Sequence, residues 1–310
     1  MYTNVTHDAA FEKDVLERIG KSWDTRVAVR KERLDLTDYY QTSLPDFPIA
    51  MVPFWNDTDF AKVDNELKLR LLAAAWVAYN EKAIYLEDEI VLPACSQLLK
   101  GRLPGAGDPL VKQVLAQVQV DEQFHILMCL DVCNLARKRH QLDEFIAPIP
   151  SLGVELDQRL SGTETGAPTQ LLRLAYAAVA EMSINAYLNQ VASDMTIQPI
   201  NRINTDMHRR DESVHSIAFH EIVGSVYKEL EPAQQSCFRE HLGNALRTFT
   251  TPDVGFWASI LEHMEIPDRE RIVSRLNQAD AGRRLSRDYT VLRSLFKKVG
   301  IVEDFGFALV

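Results

Sequence analysis

The sequence predicts an all-α protein whose core is a four-helix bundle with one long connection in the middle. Long segments carry apolar residues at helical spacing, and prolines mark several helix starts. Alternating strand-like runs and the Asn-Gly or Asp-Gly dipeptides of tight hairpins are missing from the sequence. Four long helical segments, divided into two pairs by a long connection, are typical of a bundle with a crossover.

The first 60 residues are predicted to form a helix and a strap. Residues 9–30 have the pattern of a charged amphipathic helix. Residues 40–60 hold three prolines, which block a helix and favour an extended chain. Because this strap is apolar, we expect it to lie on the core.

The first helix pair of the bundle follows the strap. Residues 64–99 are rich in Leu, Ala and Glu, and Pro93 is expected to kink or split this helix. After a Gly-rich loop, Asp108 and Pro109 form an N-cap and first-turn pair. They open a second helix, which we expect to run to about Arg139.

The second helix pair follows a connection over residues 146–168, which contain Pro and Gly. The pattern predicts helices over residues 170–193 and 200–230, with a break near Pro199. The segment 233–299 is also helical in pattern and shows no evident chemistry.

The composition excludes several classes of protein. The chain has 310 residues, a net charge of −10 and a pI near 5.3, so its bulk charge does not favour nucleic acid. Hydrophobic residues make up 46%, too many for a disordered chain. The longest apolar stretch, Leu71–Tyr79, is far shorter than a membrane span. The first residues lack the pattern of a signal peptide, and the four cysteines lack zinc-site spacing. We therefore expect a cytoplasmic protein with reduced, buried cysteines.

Two similar motifs carry the chemistry. Asp121-Glu122-x-x-His125 and Asp211-Glu212-x-x-His215 both lie in predicted helices, where residues three apart share a face. A single Glu-x-x-His would be weak evidence, whereas two copies with the same preceding Asp are a strong signal. The alternative is a pair of solvated helix faces. The neighbouring residues are largely apolar, which favours inward carboxylates that need a partner or a metal.

A bundle with a two-metal site adds one Glu from each of the other two helices. Glu181 is the only acid in a helix nearly free of charge; the alternative is a neutral Glu with a local hydrogen bond. The earlier helix offers Glu81, Glu87 and Glu89. Glu87 has the cleaner apolar face and is our first choice, with Glu89 as the second.

Three further residues accompany these motifs. Asp121 and Asp211 each precede a histidine by one turn, and we expect them to accept the second ring N–H of a facing histidine. Plain helix surface is the alternative for both. His208 shares a face with Glu212 and His215, so it is a candidate seventh ligand or an unbound neighbour. An oxygen-rich site with imidazoles suits iron or manganese better than zinc.

With these residues, the sequence resembles the ferritin-like di-iron N-oxygenases, the family of p-aminobenzoate N-oxygenase. The resemblance runs from about Tyr39 to the end of the 200–230 helix, and the extra His208 separates the family from ordinary ferritin-like proteins. The matching stretches are residues 79–87, 120–125, 180–185, 194–199 and 208–215.

The resemblance implies a ferritin-like bundle that holds two iron ions and uses O2 as a co-substrate. It implies no catalytic residue beyond the metal ligands. It also implies an external electron donor, either a reductase or a ferredoxin, and a homodimer. The implied ligands are Glu87, Glu122, His125, Glu181, His208, Glu212 and His215.

The implied reaction oxidises an amine to a hydroxylamine, nitroso or nitro product in secondary-metabolite biosynthesis. An arylamine such as p-aminobenzoate is our first choice of substrate. The alternatives are an aliphatic or carrier-tethered amino acid, an iron-binding ferroxidase without an organic substrate, and a metal-free structural protein. Tyr79, Lys82 and Asn185 are the candidate substrate residues, and Lys82 stands where the family has Arg.

We expect one domain over residues 1–310. Residues 1–60 would form the N-terminal helix and strap, residues 61–230 the metal-binding bundle, and residues 231–310 the C-terminal helices. We expect no nucleic-acid and no membrane partner.

Overall fold

The computed structural model describes residues 5–31, 39–280 and 288–301, and within these ranges all regular structure is helical, as predicted. Three of the predicted ranges, namely 1–60, 233–299 and 231–310, extend in part outside the described residues. The α-helices are α1 (Val5–Arg26), α2 (Asn65–Tyr85), α3 (Leu92–Leu99), α4 (Pro109–His140), α5 (Ser151–Ser161), α6 (Ala167–Glu181), α7 (Ile184–Ser193), α8 (Pro199–Lys228), α9 (Pro232–Thr250), α10 (Val254–His263), α11 (Arg269–Asp280) and α12 (Thr290–Lys298).

The bundle consists of α2, α4, α6 and α8. Helix α2 packs on α4, α4 on α8 and α6 on α8, while α7 also lies along α8. Helix α2 begins at its predicted position, where Asp64 caps it by accepting from the Glu66 N–H at 2.7 Å. Asp108 caps α4 in the same way, with Pro109 in the first turn. None of the described helices combines the length and apolarity needed to cross a membrane.

The first bundle helix is interrupted by a π-helical turn over Leu86–Val91, directly before Pro93. Pro93 was expected to kink or split this helix, and the interruption comes just before it. Pro93 itself lies in the first turn of α3, where a missing N–H costs little. The wider turn rotates the following residues relative to a regular α-helix. It buries Glu87 and leaves Glu89 exposed.

Two predictions about the second half of the bundle were wrong. The connection over 146–168 contains a helix, α5, whose Leu152 and Leu156 are buried against the core. The predicted helix over 170–193 is divided between α6 and α7, and the break comes directly after Glu181. A short amphipathic helix between Pro and Gly is easily mistaken for a loop, because only two apolar residues mark its buried face.

The strap lies on the core, as predicted. Phe47, Phe54 and Phe60 are at most 2% exposed and pack in one cluster with Trp76 of α2. Short 3-10 turns at Ile49–Met51 and Phe60–Lys62 interrupt its otherwise irregular course. Apolar residues of α10 and α11 complete the same cluster, so the C-terminal helices cover the strap. All four cysteines are free, and three of them are buried.

The loop between α3 and α4 approaches α8 closely at Gly105. Its φ is +76°, and an added Cβ would lie 2.7 Å from the Ser225 carbonyl oxygen. Gly101, in the same loop, has a φ of +65° and open space at the Cβ position. An alanine at Gly101 would therefore introduce backbone strain alone, whereas an alanine at Gly105 would introduce both backbone strain and steric overlap.

We predict that Gly101→Ala lowers the free energy of unfolding by about 1 kcal/mol, the cost of a left-handed alanine. Gly105→Ala should cost about 1 to 3 kcal/mol more, because the Cβ meets backbone that cannot move aside. Urea unfolding of both variants measures the difference. Equal losses would show that α8 does not approach Gly105 as described.

Candidate metal centre

Seven ionisable side chains meet in the interior of the bundle, and none is more than 6% exposed. One comes from the π-helical turn, two from α4, one from the last residue of α6 and three from α8. They are Glu87, Glu122, His125, Glu181, His208, Glu212 and His215. These are the seven ligands that the resemblance implies.

Two glutamates lie between two histidines. His215 Nδ1 is 2.8 Å from Glu122 Oε1 and 3.2 Å from Glu212 Oε1. His125 Nδ1 is 3.2 Å from Glu122 Oε2 and 3.3 Å from Glu212 Oε1. Donor atoms of these four residues all lie within 4.8 Å of one another. Glu122 and Glu212 would therefore be available to hold metal ions together with His125 and His215.

The other residues give the cluster two unequal ends. Glu181 Oε2 lies 4.0 Å from His215 Nδ1 at one end. At the opposite end, His208 Nε2 lies 3.0 Å from Glu87 Oε1, and the His208 ring stacks on the His125 ring with centroids 4.1 Å apart. One end thus offers a single imidazole and the other offers two.

The close packing of the cluster favours protons on several of its groups when no metal is bound. Burial and the negative charges of Glu212 and Glu122 raise the pKa of Glu181 well above its ordinary value. Burial also raises the pKa of Glu87, which the nearby His208 opposes. Burial disfavours a charged His215, but the Glu122 and Glu212 carboxylates raise its pKa well above the ordinary value.

These residues fit a pair of divalent metal ions. Glu87 Oε2 and Glu181 Oε2 are buried and have no hydrogen-bond partner among the described residues. Two divalent cations carry four positive charges, which match the four carboxylates when the histidines are neutral ligands. Iron and manganese both suit this set of oxygen and imidazole donors.

Asp121 and Asp211 hold the histidines from outside the cluster in a crossed arrangement. Asp121 Oδ2 lies 3.1 Å from Nε2 of His215, and Asp211 Oδ2 lies 3.4 Å from Nε2 of His125. Each aspartate therefore faces the histidine of the other motif. This contact turns the Nδ1 atom of each ring towards the glutamates.

Helix α1 and the turn after it supply the outermost layer, which sequence reasoning missed. Trp23 Nε1 lies 3.0 Å from each Asp121 oxygen. Arg26 Nη1 donates to Asp211 Oδ1 at 3.1 Å, and the Ala28 N–H donates to Asp211 Oδ2 at 3.0 Å. Burial raises the pKa of Asp211, but bonds from His125 and Ala28 hold it below the ordinary value.

A cavity of about 410 Å³ has Ala83 and Leu86 in its wall, both close in sequence to Glu87, although none of the seven clustered residues lines it. Its aromatic lining consists of Phe47, Tyr79, Tyr187, Phe249, Phe256 and Trp257. Half of these residues belong to α9 and α10, so the C-terminal segment contributes to the site although its sequence showed no evident chemistry. The volume and the apolar lining are those of a small-molecule site.

Two of the three candidate substrate residues line the cavity. Lys82 is half-buried; burial lowers its pKa, and its Nζ forms no hydrogen bond or ion pair with another described residue. The Tyr79 hydroxyl is buried without a hydrogen-bond partner in the described part of the chain, and burial raises its pKa, with Glu87 adding to the shift. Asn185 is not part of the lining; its Nδ2 donates to Ser213 Oγ at 3.2 Å.

We predict that Glu87→Gln lowers iron binding and Glu89→Gln does not. Glu87 is buried in the cluster, whereas its close neighbour Glu89 is exposed. Losing one carboxylate should weaken iron binding by about tenfold or more. Iron per protein after anaerobic ferrous loading and gel filtration gives the answer. Equal iron contents in the two variants would remove Glu87 from the ligand set.

We predict that ferrous iron raises the melting temperature more at pH 8 than at pH 6. Glu181, Glu87 and His215 have raised pKa values, so the folded metal-free chain holds protons that the unfolded chain has released. The stability of the metal-free protein therefore falls as the pH rises through these raised values. Iron displaces the same protons, so its binding strengthens over the same range.

The measurement is anaerobic thermal unfolding with iron and with a chelator at each pH. A rise in melting temperature that does not change with pH would contradict the protonated metal-free cluster.

Comparison with known proteins identifies the family. A family model described as p-aminobenzoate N-oxygenase AurF matches residues 10–300. The chain is 32% identical over 300 residues to a protein from Streptomyces thioluteus named 4-aminobenzoate N-oxygenase; the match covers 94% of this chain and 88% of that protein. Both findings confirm the resemblance found in the motifs. The chain belongs to the p-aminobenzoate N-oxygenase AurF family.

Proposed function

We propose that this protein is an O2-dependent N-oxygenase that oxidises the amino group of a carboxylated arylamine at a pair of iron ions. The observation that carries this proposal is that two features share one stretch of helix. A buried cluster that fits two metal ions includes Glu87, and the residues Lys82, Ala83 and Leu86 just before it line an aromatic cavity. The family and the name of the relative support an arylamine substrate.

When bound, the iron pair supplies reductive activation of O2, from which one oxygen atom is transferred to the amine nitrogen. The protein residues hold the metals, orient the amine and keep water out. The aromatic walls of the cavity suit a flat ring, which they can contact on its faces and edges.

Lys82 supplies the charge that orients the substrate. Burial in the cavity disfavours the charged form of Lys82, and the nearby Asp253 carboxylate favours it. A substrate carboxylate would add the direct ion pair that Lys82 lacks among the described residues. Lys82 precedes Glu87 by five residues, about 7.5 Å along a helix axis. An aryl ring with its amino group opposite its carboxylate can bridge this separation, which directs the amine towards the metal end.

The Tyr79 hydroxyl provides a second polar contact. It remains protonated, because burial and the charge of Glu87 both raise its pKa. With no partner among the described residues, it is free to form a hydrogen bond with the amine or with the oxygenated nitrogen. Asn185 does not line the cavity, so it would affect the substrate only through its hydrogen bond to Ser213.

We further propose that the ligands are the seven clustered residues and that an external reductase or ferredoxin supplies the electrons. The protein would act in the cytoplasm, as a homodimer of one-domain chains, in a secondary-metabolite pathway. The extent of oxidation, to hydroxylamine, nitroso or nitro product, is part of the test below.

We predict that Lys82→Met raises KM for 4-aminobenzoate by about 10- to 100-fold, the value of one charge-assisted hydrogen bond. Lys82→Arg should retain most of the affinity, because the positive charge remains. The matched control is 4-aminotoluene, which lacks the carboxylate and whose KM should change little in either variant. An equal change for both substrates would show that Lys82 does not recognise the carboxylate.

The direct test uses iron-loaded, chemically reduced protein with O2 and a panel of amines, followed by mass spectrometry. Product that carries oxygen on nitrogen from 4-aminobenzoate, and less from aliphatic amines, supports the proposal. Oxygen uptake and iron oxidation without any oxygenated amine would contradict it and favour a ferroxidase.

A further inference from the structure

Trp23 connects the metal centre with the protein surface through two hydrogen bonds. Its indole Nε1 lies 3.0 Å from Asp121 Oδ2, and the same oxygen lies 3.1 Å from Nε2 of His215. The Nδ1 atom of His215 faces the glutamates of the cluster. An unbroken line of conjugated groups and hydrogen bonds thus runs from the cluster to α1.

The outer end of this line reaches solvent. Trp23 is partly exposed, and the Arg30 guanidinium lies over its ring at 5.9 Å from the centroid. The Arg30 side chain is 54% exposed and pairs with Asp24, whose side chain is 70% exposed. A large partner that cannot enter the bundle can therefore reach the indole edge.

The second histidine provides an internal comparison. His125 contacts Asp211 in the same way, but Asp211 accepts its other hydrogen bonds from the Arg26 guanidinium and the Ala28 N–H. A guanidinium is a fixed charge that does not take part in electron transfer, whereas an indole has an extended π-system. To orient a histidine, the aspartate behind it needs only a hydrogen-bond donor, and Trp23 and Arg26 each supply one. The π-system of the Trp23 indole is not needed for that role.

We propose that electrons from the external donor enter the metal centre through Trp23, Asp121 and His215. This inference rests on the proposed function, which requires a donor. In each transfer the donor loses one electron and one ferric ion becomes ferrous. No bond forms or breaks in the three residues, and they end unchanged.

The test measures electron injection directly. A ruthenium polypyridyl photosensitiser is attached at Arg30→Cys in a Cys237→Ser background, because the other three cysteines are buried. A light flash with a sacrificial reductant injects an electron, and the absorbance of the ferric pair reports its arrival. The loss of the exposed Arg30–Asp24 ion pair should have little effect on stability.

Trp23→Phe removes the indole N–H and should slow electron arrival by about tenfold or more. Trp23→Gln keeps a donor for Asp121 without a π-system and should be equally slow. Arg26→Gln on the other line keeps a hydrogen-bond donor for Asp211, so it should slow electron arrival less than either Trp23 variant. Iron per protein is measured for every variant, so that lost metal is not read as lost electron transfer.

Parent-like rates in both Trp23 variants would overturn the proposal. So would a parent-like rate in Trp23→Gln alone, since that result assigns Trp23 a purely orienting role, and so would an equal slowing in Arg26→Gln. The readout is independent of product formation. If the amine panel fails while electron injection depends on Trp23, the proposed reaction is wrong and the electron route stands.

Discussion

Four buried carboxylates in one cluster are the constraint on which the rest of this structure depends. A carboxylate in a protein interior needs a compensating charge or a full set of hydrogen bonds. Neutral histidines would leave four ionised glutamates uncompensated, and three of the glutamate oxygens have no hydrogen-bond partner in the described structure. A pair of divalent cations would compensate the negative charge and bind the unpaired oxygens. It would also suit the oxygen and imidazole donors. We therefore expect a bound metal pair to stabilise the bundle as well as to take part in the reaction.

The surrounding helices are arranged to hold that cluster in place. The π-helical turn brings Glu87 inward, and α6 ends at Glu181, where the chain breaks before α7. The crossed aspartates couple α4 to α8 through the histidines, so the two motif helices fix each other. Helix α1 covers this contact from outside. The strap, α9 and α10 line the cavity together with Tyr79, Lys82 and Ala83 of α2.

Local sequence predicted much of the site, because its ligands recur at helical spacing. Both Glu-x-x-His pairs, the lone acid Glu181 and the choice of Glu87 over Glu89 follow from which helix faces are apolar. The contacts of Asp121 and Asp211 with facing histidines follow from their position one turn before each motif histidine. The metal identity and the reaction came only from the resemblance to a family.

Contacts between distant segments could not be predicted in this way. Trp23 precedes Asp121 by 98 residues, and no periodicity in α1 marks its indole as a partner of the metal centre. The π-helical turn was not predicted, because Pro93 already explained why the helix should be interrupted in this region. The lining from α9 and α10 was missed because apolar side chains look alike whether they face a core or a substrate cavity.

Anomalous diffraction at the iron edge, from crystals of the iron-loaded protein, tests the charge requirement most directly. We expect two peaks about 3.5 to 4 Å apart, as in other two-metal sites, with Glu122 and Glu212 between them. One peak should lie near His215 and Glu181, and the other near His125, His208 and Glu87. A single peak, or peaks outside the cluster, would contradict the requirement for two cations among these carboxylates.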